Sequence, residues 1–276
     1  MSQASLFGPE QAPDAKQPHD LPVRMRVLIT VKAAPNPSAG YGETVCVAGI
    51  RLDLDAPGWV RLYPINFRDL DAGMQFSKYD IVSISVRPAR ADPRVESWRP
   101  EVGSLQKEDW LRPWARRRPI VEPYIEGSMC GVLQAVRDNP PAKSLALIQP
   151  KEVLDVDIEP HPGWTADEQA KIDAYVGQID MFGADRTPLE APQFKGWYRY
   201  RCHDPSCRTH RQGILDWEFV ALQRKLPGGP ADVAAALKAK FLDVCSSNHD
   251  VVAFYVGNQA KRPQTFSVLG VYYPKR

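Results

Sequence analysis

The chain lacks any run of about 18 consecutive apolar residues, the length an apolar helix needs to cross a bilayer, so no membrane span is expected. Its first twenty residues are polar and Pro-rich, without the apolar core of a secretory signal. Residues 1–22 offer almost nothing to bury and read as a disordered tail. Charge of one sign is also scarce overall. The net charge is +2 over 276 residues, so no global basic field announces a polyanion partner. Cysteine is limited to Cys46, Cys130, Cys202, Cys207 and Cys245. An odd count with one close pair and no export signal argues against a disulfide framework. It favours reduced thiols, a metal site and a cytoplasmic location.

Familiar catalytic fingerprints are missing too. There is no G-x-x-x-x-G-K-[ST] phosphate loop, and Gly40-Tyr41-Gly42 lacks the spacing of a dinucleotide fingerprint. Neither H-E-x-x-H nor G-x-S-x-G occurs, and the H-x-E…P-C-x-x-C pattern of zinc deaminases is absent.

What is present reads as α+β. Segments 26–32, 43–52, 59–65 and 79–86 are rich in β-formers and bounded by Pro, Gly, Asn and Asp clusters. Four short strands at this spacing predict a small antiparallel, barrel-like domain over 23–150. A helix is expected after Ser128, stopped by Asn139-Pro140-Pro141, then a strand over 144–149. Residues 151–192 read as an acidic helical connector. Within it, Thr165 to Glu168 forms a capping box that starts a helix over about 166–179. Residues 193–276 read as a zinc-stabilised α+β module. Its expected elements are a strand over 197–201, helices over 214–226 and 231–244, and strands over 251–256 and 265–273.

The metal expectation rests on Cys202-x4-Cys207-x2-His210. Zinc takes thiolate and imidazole ligands tetrahedrally, and a tight Pro-containing turn lets two thiolates of one loop reach one ion. Structural sites need four protein ligands. Cys245 is the first choice for the fourth, His249 the second and His203 the third. Asp216 and Glu218, near the loop, are candidate bases together with His203 should the zinc be catalytic. The alternative places the two carboxylates in the first turn of a helix, where they complement its dipole.

Charge is distributed unevenly. Residues 87–118 carry nine basic and five acidic side chains, with Trp98, Trp110 and Trp114 interleaved. Arginine suits phosphates and tryptophan suits unstacked bases, so Trp98, Arg99, Arg112, Trp114, Arg116, Arg117 and Arg118 are candidate nucleic-acid contacts. Arg208 and Arg211, in a second basic stretch, join them. The competing reading packs the tryptophans in the core and leaves the arginines on a solvated face. Residues 150–192 carry ten acidic and three basic side chains, a candidate surface for a protein partner.

Arg61-Leu62-Tyr63-Pro64, the Cys202…His210 loop followed by Ile214-Leu215-Asp216-Trp217-Glu218, and Phe254-Tyr255-Val256-Gly257-Asn258 together resemble a group of bacterial proteins with no named activity. The resemblance covers most of the chain beyond the tail and implies no catalytic residue. Three functions follow as expectations. The first is nucleic-acid binding by a barrel plus a zinc-stabilised module. The second is metal-dependent hydrolysis of nucleic acid or nucleotide. The third is an adaptor role in a multi-component bacterial system.

Overall fold

The computed structural model describes residues 16–38, 42–54, 58–68, 70–139, 143–177, 187–246 and 249–275. The first fifteen residues of the expected tail lie outside these. Residues 16–22 are described and run along the barrel: Arg90 donates to Asp20 Oδ1 at 2.8 Å and to the Gln17 carbonyl at 2.6 Å.

β1 (Val23–Lys32), β3 (Gly42–Arg51), β4 (Trp59–Ile65), β6 (Ser97–Pro100) and β5 (Asp80–Pro88) form a closed five-stranded barrel, because β5 pairs back onto β1. β4 and β6 pair in parallel and the other barrel pairs are antiparallel. β2 (Asn36–Ser38) pairs with β3, and β7 (Gln106–Trp110) extends the outer edge of β5.

Side-chain alternation along β1 explains the architecture. Met25, Val27 and Ile29 fill the barrel with Val45, Val47, Val60 and Ile84. Leu28, and Val31 beyond the bulge between Ile29 and Val31, belong to a different core, shared with Leu145, Leu147, Tyr255, Leu269 and Tyr272. Both sides of these strands are apolar because the barrel's outer face is covered by the C-terminal unit. Gly49 is required by this packing: a Cβ there would lie 2.3 Å from the Leu28 carbonyl oxygen.

α1 (Trp114–Val121) leads out of the barrel unit. Beyond it, β14 (Arg262–Tyr272), β13 (Ala253–Gln259), β9 (Leu145–Ile148) and β8 (Ile125–Glu126) form one sheet in that order. β10 (Glu152–Pro160), β11 (Phe194–Arg201) and β12 (His210–Gly213) form a second. α2 (Met129–Asp138), α4 (Trp217–Gln223) and α5 (Pro230–Asp243) pack with these sheets around Tyr198, Tyr200, Phe219, Leu237 and Phe254. Residues 125–148, expected at the end of the barrel unit, are therefore built into the C-terminal core through Met129, Val136 and Ile148.

Two further expectations change. The acidic segment is not purely helical: it opens with strand β10, and α3 (Ala166–Val176) follows with its capping box in place. The helix expected over 214–226 begins only at Trp217. Ile214 bridges Val268 and Asp216 bridges Ala33, so this stretch is held extended as a seam between the units. Hydrogen bonds to neighbouring strands outweigh a helical apolar period that the sequence shows in isolation.

The seam also contains buried charge. Arg61 donates to Cys46 Sγ at 2.9 Å and to the Ser144 carbonyl at 3.1 Å. Glu96 accepts from the Ser144 amide at 2.8 Å and hydroxyl at 2.9 Å. Ser144 thus partners both Arg61 and Glu96 across the seam.

Candidate metal centre

Four side chains from three elements converge: Cys130, Cys202, Cys207 and His210, whose ligand atoms all lie within 4.8 Å of one another. Local chain chemistry sets each one. Ser128 caps α2 by accepting from the Gly131 amide at 2.8 Å, which fixes Cys130 in the first helical turn. Cys202 follows the end of β11. Asp204 then folds the loop as an Asx turn, accepting from the Ser206 amide at 2.8 Å and hydroxyl at 2.6 Å. The Cys207 amide closes it on the Asp204 carbonyl at 3.0 Å, and His210 opens β12. The His203 amide donates to the Gly127 carbonyl at 2.8 Å, stitching the loop to the segment that precedes α2.

The Cys130 and Cys202 sulfurs are 3.7 Å apart, and Cys130 Sγ lies 3.4 Å from His210 Nε2. A tetrahedron with zinc–sulfur bonds of about 2.3 Å and zinc–nitrogen bonds of about 2.0 Å has sulfur–sulfur edges of roughly 3.8 Å and sulfur–nitrogen edges of roughly 3.5 Å. The donor set therefore fits a divalent metal in both type and spacing. Burial opposes ionisation of Cys202, but backbone hydrogen bonds from Cys130 and Asp204, with His210 beside it, hold its thiol down at about 6. Burial and the neighbouring thiols push Cys130 up to about 12.

Three members of the cluster lie in the loop that the spacing singles out, and the fourth, Cys130, lies outside it. Cys245 lies in the core beside Tyr198, where burial pushes its thiol up to about 12. The ring of His249 packs edge-on against Tyr273 at 5.2 Å, and His203 is exposed beside Gly127. None of the three belongs to the cluster.

Asp216 and Glu218 belong to a separate charged group at the seam. Asp216, 2% exposed, caps α4 by accepting from the Glu218 amide at 3.0 Å. Lys78 from the barrel unit lies 3.0 Å from Asp216 and 3.3 Å from Glu218. Burial works against the Lys78 ammonium, but the two carboxylates overcome it and raise its pKa. Burial pushes the Asp216 carboxyl up to about 6, with Lys78 pulling the other way. Lys32 lies over the rings of Phe67 and Trp217, at 3.8 and 4.5 Å, and burial draws its pKa down to about 8.

The Arg/Trp stretch is mostly structural. Trp98 is buried in the barrel core, and Trp114 packs edge-on against Tyr79 and Tyr272. Arg117 is buried over Tyr79 and Trp114 and donates to the Leu111 carbonyl. Arg116 pairs with Asp109, and Arg118 with Glu122 and Asp250. Arg211 pairs with Asp157 and Glu159 and stacks on Trp197. Arg99 and Arg208 are exposed. Arg112 stacks at 4.4 Å on Trp110, a residue 43% exposed.

The acidic stretch meets the basic one directly. β10 pairs antiparallel with β11, and Asp155, Asp157 and Glu152 on the first bind Arg199 and Arg201 on the second. Lys238 of α5 adds to Asp155. Over β10, β11 and β12 the acidic stretch and the second basic stretch neutralise each other across strands.

A family model described as a domain of unknown function (DUF8757) matches residues 125–276. A second, also a domain of unknown function (DUF8758), matches residues 23–123. A search of curated proteins finds no match. The border between the two matches falls where the barrel unit gives way to β8. No helix among the described residues is long and apolar enough to cross a membrane.

Proposed function

Since the chain belongs to the DUF8757 family over residues 125–276 and all four clustered ligands fall inside that span, we propose that this domain holds one Zn2+ as a structural staple. The observation that carries this is the convergence of Cys130, Cys202, Cys207 and His210 within 4.8 Å, with the Cys130–Cys202 and Cys130–His210 edges at tetrahedral lengths. Four protein ligands leave no open position for substrate, which is the arrangement of structural zinc. The carboxylates that a catalytic zinc would use are engaged with Lys78. Bound zinc would cross-link α2 to the loop between β11 and β12. Reduced thiols of this kind suit the cytoplasm. Elemental analysis of protein purified without added metal should find about one zinc per chain. Cys130→Ser should lose it and Cys245→Ser should keep it. Metal-free protein, or the opposite behaviour of the two variants, refutes the assignment.

A second reading, nucleic-acid binding, is favoured by one exposed pair. Trp110 stands on β7, a strand with every residue exposed, with the Arg112 guanidinium stacked on it. An exposed indole beside a cation is a platform for an unstacked base. The expected result is single-strand binding that weakens steeply with salt and is lost in Trp110→Ala/Arg112→Ala. No binding at low salt, or binding that the double variant retains, rejects this role for the pair.

A further inference from the structure

A cleft of about 200 Å3 opens where the barrel's Pro35 and Asn36 meet the second sheet of the C-terminal unit. Sites for small molecules favour such borders between folding units. The cleft is remote in the chain from Trp110 and contains none of the four clustered metal ligands.

Its walls are aromatic. Trp164, Phe194 and Phe219 line it, together with aliphatic Leu215 and Val220. The Trp164 indole N–H donates to the Leu189 carbonyl at 2.8 Å, so that ring is held in place before any ligand arrives. Gly196 and Gly213, on neighbouring strands, also line it and carry no side chain to fill the depression. A Cβ on Gly196 would lie 2.8 Å from the Phe219 ring, so the glycine is what lets that ring close on the sheet.

The polar groups are few and mostly of one sign. Lys195 and Arg224 both line the cleft. Arg199, Arg201 and Arg211 of the same sheet are paired with carboxylates. Arg224 instead has only the Glu190 main-chain carbonyl, at 3.3 Å, and no carboxylate lies within ion-pair distance of either cation among the described residues. Glu190 is the one acidic residue of the lining. His161 accepts from the Gly163 amide through Nδ1 at 3.0 Å, which leaves Nε2–H as a donor. Burial, then Lys195, holds the imidazole below its ordinary range, in agreement with a neutral donor.

We infer that this cleft binds a small planar aromatic anion, its ring between the aromatic walls and its acidic group at Lys195 and Arg224. Size supports a ring system of one or two rings: a cavity of about 150 Å3 accommodates benzene. Charge supports an anion, since two cations with no carboxylate partner among the described residues face solvent at the edge of an apolar recess. Two sources share this chemistry, a nucleoside monophosphate and an aromatic carboxylic acid.

Isothermal titration calorimetry on the full-length protein tests this with three probes: AMP, indole-3-acetate and uncharged adenosine. Saturable one-to-one binding of AMP, of indole-3-acetate or of both supports the inference, and the pattern identifies the source. Adenosine should bind more weakly than AMP. Lys195→Glu/Arg224→Glu alters two exposed side chains and should weaken the anions about ten-fold or more, with adenosine unchanged. Trp164→Ala should weaken all three probes by about ten-fold or more, the loss of one stacked ring. If Trp164→Ala fails to fold, the double charge variant still decides the matter. Absence of saturable binding by both anions overturns the inference, as does anion binding that the double charge variant leaves intact.

Discussion

The barrel and the C-terminal unit enclose their cores by different means. The barrel interior is filled by Met25, Val27, Ile29, Val45, Val47, Val60 and Ile84, and its sheet closes on itself. A closed sheet has no free edge, and apolar burial suffices to hold it. The C-terminal unit spreads its strands over two open sheets and places hydroxyls and thiols in the core. Each then needs a specific partner: Tyr198 donates to the Phe241 carbonyl at 3.0 Å, and Tyr200 to Gln212 Oε1 at 2.6 Å. Beside them sits the Cys3His cluster. Where a sheet does not close, discrete bonds replace continuity, and the loss of one such bond matters more than the loss of one methyl group.

That contrast can be tested by perturbing one unit at a time. The largest effect should come from metal removal. A strong chelator, or Cys202→Ser, should destabilise the C-terminal unit by several kcal/mol, so calorimetry should resolve an early transition from a later one for the barrel. A single transition at the untreated temperature would erase the distinction between the units.

Next comes Lys78→Met, which leaves the Asp216 carboxylate buried without its counter-charge, a loss of about 3–5 kcal/mol at neutral pH. Its sign with pH follows from linkage. The folded pKa of Asp216, about 6, lies above the ordinary carboxylate value of 3.8, so the folded state binds the proton more tightly. That contribution to stability is present at low pH and declines as pH rises from about 4 to about 6. In Lys78→Met the folded pKa rises further and the decline extends towards neutrality. Denaturant titrations from pH 4 to pH 7.5 that run parallel for the two proteins would remove Lys78 from this role.

Gly49→Ala perturbs the barrel sheet directly, because the new methyl meets the Leu28 carbonyl. A loss of about 1–3 kcal/mol is expected, confined to the later transition. The smallest effect belongs to Arg199→Ala, whose side chain is 40% exposed between Asp155 and Asp157. Its expected cost is about 1 kcal/mol or less, shrinking with added salt. A larger, salt-independent loss would mean that the cross-strand charges act as buried groups.

Local signals in the sequence were legible and long-range ones were not. The barrel strands stand out because Pro, Gly and Asn clusters bound them, and α3 because of its capping box. Cys202, Cys207 and His210 are read from spacing alone, since one tight turn brings them together. Cys130 could not be read this way: it reaches the loop through long-range structure, including the β8–β9 and β9–β13 pairings and the Gly127–His203 hydrogen bond. One clue existed. Cys130 lies off the stripe of Met129, Val132 and Val136 that α2 buries, so packing alone does not explain it. Cys245 was the more attractive fourth ligand because it follows α5 closely, yet it fills an apolar site. Strand β10 is not legible in the sequence because its carboxylates look like a solvated surface until Arg199, Arg201 and Arg211 are placed opposite them.

Cys130 precedes Cys202 by 72 residues. A nascent chain leaving the ribosome amino end first would expose the first thiol long before the other three ligands exist. The ion therefore has no complete coordination sphere until α2, β9, β10 and β11 have been synthesised and arranged. Closing so long a loop is entropically unfavourable for the unstructured polypeptide, and the cost grows only slowly with its length. Metal capture at this cluster would consequently report a finished C-terminal architecture and would act as a late checkpoint on assembly.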